Sequence, residues 1–212
     1  MVLKTFDVTN CRDLTAEPLT PENFAPFGGV ISADHQIGAN QESANYGTAI
    51  KVHDVTPVDN NYDHSSRTGS CRANWSIFRC SAPHHLIQDK GLFHNYTSKV
   101  LERHPFTTQT FVPMGQCSLK VSYMVIVAQS DPNSPENLPD PNSLKAFTVK
   151  GNQAVTYGAG TWHAPMVVID EQISHIDFAV FQYENGVAND DCQECYFEPG
   201  YTISYKSVGI KS

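Results

Sequence analysis

Glu102 and His104 stand two apart in the stretch Glu102-Arg103-His104-Pro105. On a strand, positions i and i+2 point to the same side, so this carboxylate and imidazole can converge on one point. A second imidazole, His163, follows the turn Gly158-Ala159-Gly160 on a separate segment. Carboxylate and imidazole donors from adjacent antiparallel strands suit a first-row metal ion. The plainer alternative leaves Glu102 and Arg103 as solvated strand charges and His104 as a lone core histidine.

Two cations are candidates for an anionic ligand. Arg79 ends the alternating stretch Asn74-Trp75-Ser76-Ile77-Phe78-Arg79, on the face that carries Trp75 and Ile77. If that face is a barrel interior, the guanidinium needs an anion, and a substrate carboxylate held bidentately would serve. An edge arginine turned to solvent, or paired with a structural carboxylate, is the equal alternative. Lys51 is a second anion contact or a proton carrier if it faces a site, and a surface lysine otherwise. Cys192-x-x-Cys195 is a single pair without the second pair of a zinc ribbon or the strand–helix setting of a redox motif. Cys11, Cys71, Cys80 and Cys117 have no motif spacing and read as buried thiols. His84-His85 reads as loop, and His175 and Asp177 can share one face of a strand or lie solvated at an edge. No strained nucleophile turn announces a Ser-His-Asp triad.

The elements that must position these residues are mainly strands. Val121 to Ala128 is an apolar run of strand length, suited to burial on both faces. Gln153 to Tyr157, His163 to Ile169 and Ile176 to Tyr183 complete a set of short strands punctuated by Gly and Pro. That pattern favours an antiparallel sandwich or barrel. Thr20-Pro21-Glu22-Asn23 has the form of a capped helix start, stopped by Pro26. Ser143 to Phe147 reads as another short turn. The proline-rich stretch 130–142 and the polar stretch His53 to Ser70 read as a loop and an arm. No internal repeat or phosphate-cradling glycine motif interrupts the pattern, and residues 1–212 read as one domain.

The chain has 212 residues, with 14 basic and 22 acidic side chains and a net charge of -8. A hydrophobic content of 40% against 17% charged residues is enough for a sizeable core and excludes a disordered chain. The acidic balance argues against a nucleic-acid partner, which needs clustered Lys and Arg. No apolar stretch reaches membrane-spanning length, and the N-terminal residues do not form a signal peptide. With six cysteines and no secretory signal, the expected setting is the cytoplasm, with free thiols, and the sequons at Asn74 and Asn95 read as chance.

At these same residues the chain resembles the ureidoglycolate lyase family. The resemblance runs from Leu19-Thr20-Pro21-Glu22-Asn23-Phe24-Ala25-Pro26-Phe27-Gly28 through Asn45-x-Gly47 and Ile77-Phe78-Arg79. It continues in Glu102-Arg103-His104-Pro105, Gln109-x-Phe111-x-Pro113, Leu144-x-Ala146-Phe147 and Gly151-x-Gln153. Trp162-His163-x-Pro165-Met166, Asp177-Phe178 and the tail Asp191-Cys192-x-Glu194 follow. The long arm and the proline loop resemble the longer fungal members.

The resemblance implies a cupin fold, a double-stranded β-helix or jelly-roll barrel with a few short helices. The usual cupin metal motif is His-x-His, four residues, then Glu, with a later His. Here Glu102 takes the first His position, His104 the second, Gln109 the Glu position and His163 the later one. This implies a divalent ion (Ni, Zn or Mn), held more weakly than by three His and a Glu. The implied activity is cleavage of (S)-ureidoglycolate to glyoxylate and urea, with Arg79 on the carboxylate and Asn45 or Lys51 assisting at the mouth. Proton transfer falls to His163 or Glu102 if no metal takes part. An amidohydrolase releasing ammonia is the alternative enzyme, and a non-catalytic carboxylate-binding cupin the alternative outside catalysis. An iron-dependent redox cupin is disfavoured by the missing His-x-His. By analogy a homodimer is expected, which would also close exposed strand edges.

Overall fold

The computed structural model describes residues 1–11, 13–38, 40–66 and 70–207. It is mainly β, with two sheets facing one another and a separate hairpin, in keeping with the cupin architecture. Along its main path the first sheet runs β1 (Val2–Asp7), β17 (Gln193–Lys206), β9 (Phe93–Arg103), β14 (Trp162–His163), β11 (Val121–Ala128), β12 (Lys145–Lys150) and β3 (Glu17–Pro18). Three short strands flank that path: β2 (Leu14–Thr15), β8 (Ile87–Asp89) and β15 (Val167–Val168). The second sheet runs β4 (Gly28–Ile31), β13 (Ala154–Tyr157), β10 (Gln109–Met114), β16 (His175–Glu184) and β7 (Arg72–Ser81). The hairpin pairs β5 (Gln41–Ala44) with β6 (Ala49–Val52).

The expectation for 121–128 holds: Tyr123 to Ala128 are all buried, on both faces of β11. Tyr123, Val125 and Val127 pack between the sheets with Phe111, Phe147, Val155 and Phe178. Met124, Ile126 and Ala128 face the other way, against Leu101, Trp162, Phe197 and Ile203. A fully buried Val, Ile, Met or Phe contributes about 1.5–3 kcal/mol, so this strand anchors both halves of the core.

The expected helix start forms as α1 (Pro21–Phe24). The Thr20 side chain accepts from the Asn23 amide at 3.2 Å, and the Asn23 side chain accepts from the Thr20 amide at 2.9 Å. The two other α-helices among the described residues, α2 (Ala33–Gln36) and α3 (Ala188–Asp191), are as short.

Three expectations need correction. Residues 145–147 are strand, not turn; the turn is 141–143, capped by Asp140. The span 163–169 is broken into two short pieces around Ala164 to Met166. On β7 the faces are exchanged. Phe78 turns inward to Phe111, with ring centroids 5.6 Å apart, while Trp75 and Ile77 are 66% and 72% exposed. Arg79 shares their outward face, so it does not point into the sandwich. Both faces of this strand carry large apolar residues, and alternation alone does not say which one is covered.

The arm packs on its own chain. The Asn61 amide donates to the Phe106 carbonyl at 2.7 Å, and the Thr108 amide donates to the Asp59 carbonyl at 3.3 Å. Its last part, 67–69, lies outside the described residues. The proline loop is pinned as well: the Asn137 carbonyl accepts from Arg103 at 2.7 Å and from the Trp162 indole at 2.9 Å.

Candidate active site and cation site

Glu102 lies at the end of β9, directly opposite His163 on β14 and Glu194 on β17. His104 follows immediately, where Pro105 ends the ladder. The turn before His163 is tied to it: the Gly160 amide donates to the His104 carbonyl at 2.8 Å, and the Thr161 amide closes on Gly158 at 3.0 Å. Gly160 has φ +79°, the left-handed region in which glycine is unstrained. Gln109 starts β10 on the facing sheet, so the cluster bridges the two sheets at one end of the sandwich.

Glu102, His104 and His163 offer ligand atoms that all lie within 4.8 Å of one another. His163 Nε2 is 3.5 Å from Glu102 Oε1 and 3.1 Å from Gln109 Oε1. Both imidazoles are held by backbone carbonyls through their other nitrogen. His104 Nδ1 donates to the Asp191 carbonyl at 2.5 Å, and His163 Nδ1 to the Thr161 carbonyl at 3.0 Å. In the neutral rings each Nε2 therefore presents a lone pair to the cluster, the arrangement that metal-ligating histidines adopt. His104 Nε2 is buried with no hydrogen-bond partner. Tyr157 stacks on the His163 ring at 3.9 Å and fixes its plane.

Charge follows from this packing. Burial, reinforced by the neighbouring His163, pulls His104 below its ordinary value and favours the neutral ring. Burial pushes the Glu102 carboxyl up, but the two imidazoles outweigh it and hold Glu102 below the usual carboxylate range. The cluster thus joins two imidazole lone pairs, an ionised carboxylate and an amide oxygen. This donor set fits a borderline first-row divalent ion, and the orphaned His104 nitrogen is the atom that such an ion would satisfy.

The structure brings together four of the seven residues singled out from sequence. Arg79 is not among them. It faces Asp177 across β7 and β16, with both contacts at 2.8 Å, and each group strengthens the charged form of the other. Asp177 is five residues along β16 from Gln182, the partner of Gln109; at roughly 3.3 Å per residue that is about 16 Å. Asn45 and Lys51 lie on the separate hairpin, where Lys51 pairs with Glu42 at 3.7 Å. His175 stands 3.9 Å from Asp177 on the same outer face, and His84 and His85 form a one-turn 3-10 helix.

Residues not singled out for a role complete the surroundings. Cys192 lies 3.9 Å from Glu102 Oε2 and with Glu194 forms a second donor group around that carboxylate. Burial raises the Cys192 thiol to about 12, so it is not a ready nucleophile. Tyr62 donates to Asp191 Oδ1 at 2.6 Å and steadies the residue whose carbonyl holds His104. The matching tail Asp191-Cys192-x-Glu194 was the available signal for this group; nothing in the local pattern of the arm marked Tyr62. Cys195 is buried in the core and all six cysteines are free, but Cys11 and Cys117 are exposed and Cys71 and Cys80 half-buried, not the buried thiols expected.

Residues 11–204 match the family model described as ureidoglycolate lyase. The ureidoglycolate lyase of Saccharomyces cerevisiae is 43% identical over 197 residues, covering 88% of this chain and 95% of that one. The Schizosaccharomyces pombe protein of the same name is 43% identical over 182 residues, covering 86% and 90%. The one from Pseudomonas fluorescens is 33% identical over 187 residues, covering 88% and 93%. The chain is therefore more similar to these two fungal proteins than to the bacterial one.

Proposed function

The chain belongs to the ureidoglycolate lyase family, and from that premise we propose that one domain, residues 1–212, cleaves (S)-ureidoglycolate to glyoxylate and urea at the Glu102–His104–His163 cluster. The observation that carries this is the convergence of an ionised carboxylate with two imidazole lone pairs at the mouth of the sandwich.

The reaction is the collapse of a carbinolamide. The hydroxyl gives up its proton, its oxygen becomes the aldehyde of glyoxylate, the carbon–nitrogen bond breaks, and the departing urea nitrogen gains a proton. Where no ion takes part, Glu102, held ionised by its neighbours, or His163 takes the hydroxyl proton and returns it to the nitrogen. Such acid–base assistance contributes about 10²–10⁴-fold. His104 and His163, with Glu102 and the Gln109 oxygen, would hold a divalent ion such as Ni, Zn or Mn. When bound, that ion supplies Lewis acidity that favours loss of the hydroxyl proton. Tyr157 and the backbone carbonyls of Thr161 and Asp191 keep the rings aimed.

The working form on this reading is a cytoplasmic homodimer in purine breakdown, acting on its small substrate without nucleic acid or membrane. No helix among the described residues is long and apolar enough to cross a membrane. The outward face of β7, with Trp75 and Ile77, and the projecting hairpin with its fully exposed Tyr46, support contact with a second copy. Arg79, Asn45 and Lys51 would then meet the substrate from the neighbouring subunit, since within one chain they stand away from the cluster. Sedimentation of Ile77→Asp, expected to halve the mass, tests the dimer. Recovered activity on mixing Arg79→Ala with His104→Ala chains tests the shared site.

The function itself is tested by product analysis on racemic ureidoglycolate, as purified, after chelation and after an ion is restored. Glyoxylate with equal urea and no ammonia is expected, with loss on chelation and recovery with one ion. Ammonia in place of urea would make the protein an amidohydrolase. Glyoxylate binding without turnover would make it a carboxylate-binding cupin.

A further inference from the structure

We propose that Glu184 and Gln182 are positioning residues that turn the Gln109 amide oxygen, rather than its NH₂, toward the cation site. The inference rests on the divalent ion of the proposed function, and concerns how a neutral side chain becomes an ion ligand.

A carboxylate has no N–H to give, so both Glu184 oxygens must accept. One takes the Gln182 NH₂ at 2.7 Å and the other the Asn74 NH₂ at 2.8 Å. With its NH₂ committed to Glu184, Gln182 turns its oxygen the other way, where it accepts the Gln109 NH₂ at 2.5 Å. Gln109 is then left with its own oxygen facing His163 Nε2 at 3.1 Å. The register makes this row possible: Gln109, Gln182 and Asn74 are direct partners across β10, β16 and β7, and Glu184 lies two residues beyond Gln182 on the same face.

The local preference at His163 runs the other way. Its Nδ1 hydrogen is spent on the Thr161 carbonyl, so in the neutral ring Nε2 is an acceptor. A flipped Gln109 would donate its NH₂ to that nitrogen and satisfy it. Instead Gln109 Oε1, His163 Nε2 and Glu102 Oε1 face one another as three acceptors, with separations from Nε2 of 3.1 and 3.5 Å. Acceptors so placed repel unless a proton on Nε2 or a metal ion lies among them. Glu184, two side chains away, enforces an orientation that the neutral ring alone disfavours and that a metal ion makes favourable.

Titration calorimetry of the ion-stripped full chain with Ni²⁺ at neutral pH tests this. Glu184→Gln can donate as well as accept, which lets the row invert, and Ni²⁺ affinity is expected to fall by tenfold or more. Gln182→Met cuts the row while keeping its volume, with the same expected loss; it carries the test if Glu184→Gln does not fold. Gln109→Glu presents oxygen in either orientation, so the double variant Glu184→Gln/Gln109→Glu should recover wild-type affinity or exceed it. Unchanged affinity in both single variants overturns the inference alone. A loss that Gln109→Glu does not rescue also overturns it, since Glu184 is then merely structural. A wild-type chain that takes up no Ni²⁺ overturns the ion reading itself, and this inference with it.

Discussion

The mouth of the sandwich and the outer face of β7 share strand β16 but settle their polar groups in opposite ways. On the outer face Arg79 and Asp177 lie directly across from one another and satisfy each other, with the arginine side chain 65% exposed. At the mouth Glu102, Gln109, His104 and His163 gather acceptors without the donors to match, and one imidazole nitrogen is left buried and unpartnered. A matched pair is satisfied within its own chain, so a ligand would have to share Arg79 with Asp177. The unmatched cluster has interactions left to offer, because its remaining lone pairs can be satisfied only by a proton, a metal ion or a substrate. The charge of a side chain is therefore a poorer guide to chemistry here than the balance of donors around it.

The largest test of this contrast removes the unmatched groups. His104→Ala and His163→Ala should each lower kcat/KM by at least about 10²-fold while the fold survives, read by steady-state glyoxylate release and circular dichroism. Either variant at full turnover would break the comparison, because the mouth would then be no more reactive than the outer face.

Acid should separate the two regions next. In the folded, ion-stripped protein His104 is held below its ordinary value of 6.5, so the unfolded chain binds a proton that the folded chain refuses. Stability should fall as pH drops below about 6.5, with the Glu102 contribution lost later, below its ordinary 4.5. The Asp177 contribution is likewise present above its ordinary 3.8 and is lost only as pH falls below it. Melting curves between pH 7.5 and 5 should thus include the His104 contribution but not that of Asp177, and His104→Gln should flatten the slope. A slope unchanged in His104→Gln would place the titrating group elsewhere.

A smaller effect is expected one layer out. Tyr62→Phe removes a hydroxyl donated to Asp191, whose carboxylate keeps two backbone amides, from Asn185 and Gly186, each at 2.8 Å. The loss should be about 1 kcal/mol, a melting shift of about 2–4 °C in a chain of this size. A modest fall in turnover should accompany it, since Asp191 holds His104. Full turnover with the expected melting shift would make the arm structural only.

How much of this was legible in the sequence depended on whether a local period fixes the answer. The i, i+2 spacing allowed Glu102 and His104 to converge, whereas His163, on a separate segment after the turn at Gly158 to Gly160, was joined to them only by the family resemblance. The apolar run on β11 specified its own burial. Arg79 was different: parity put it with Trp75 and Ile77 correctly, but which face of β7 is covered depends on the facing sheet. The ligand orientation at Gln109 was hidden for a related reason, since it is set by Glu184 through Gln182, residues more than seventy positions away that only the register of β10 and β16 brings near. Tyr62 reaches Asp191 across 129 residues of chain, and no short-range signal encodes that contact.

The smallest expected effect tests whether the outer face is a surface at all. Lys51 and Glu42 are 61% and 57% exposed and 3.7 Å apart on a hairpin that makes its close contacts mainly with itself. In a single chain Lys51→Ala should change stability by no more than about 0.5 kcal/mol, the ordinary range for an exposed pair. An isolated two-strand hairpin is marginal in water, so the hairpin gains order chiefly from whatever it meets. If a second copy covers it, Lys51→Ala should raise the protein concentration needed for dimerisation, or raise KM, while leaving the melting point at high concentration unchanged. An effect on neither would leave Lys51 a solvated charge and remove it from the shared site. The cluster at the mouth would then act without help from the hairpin lysine.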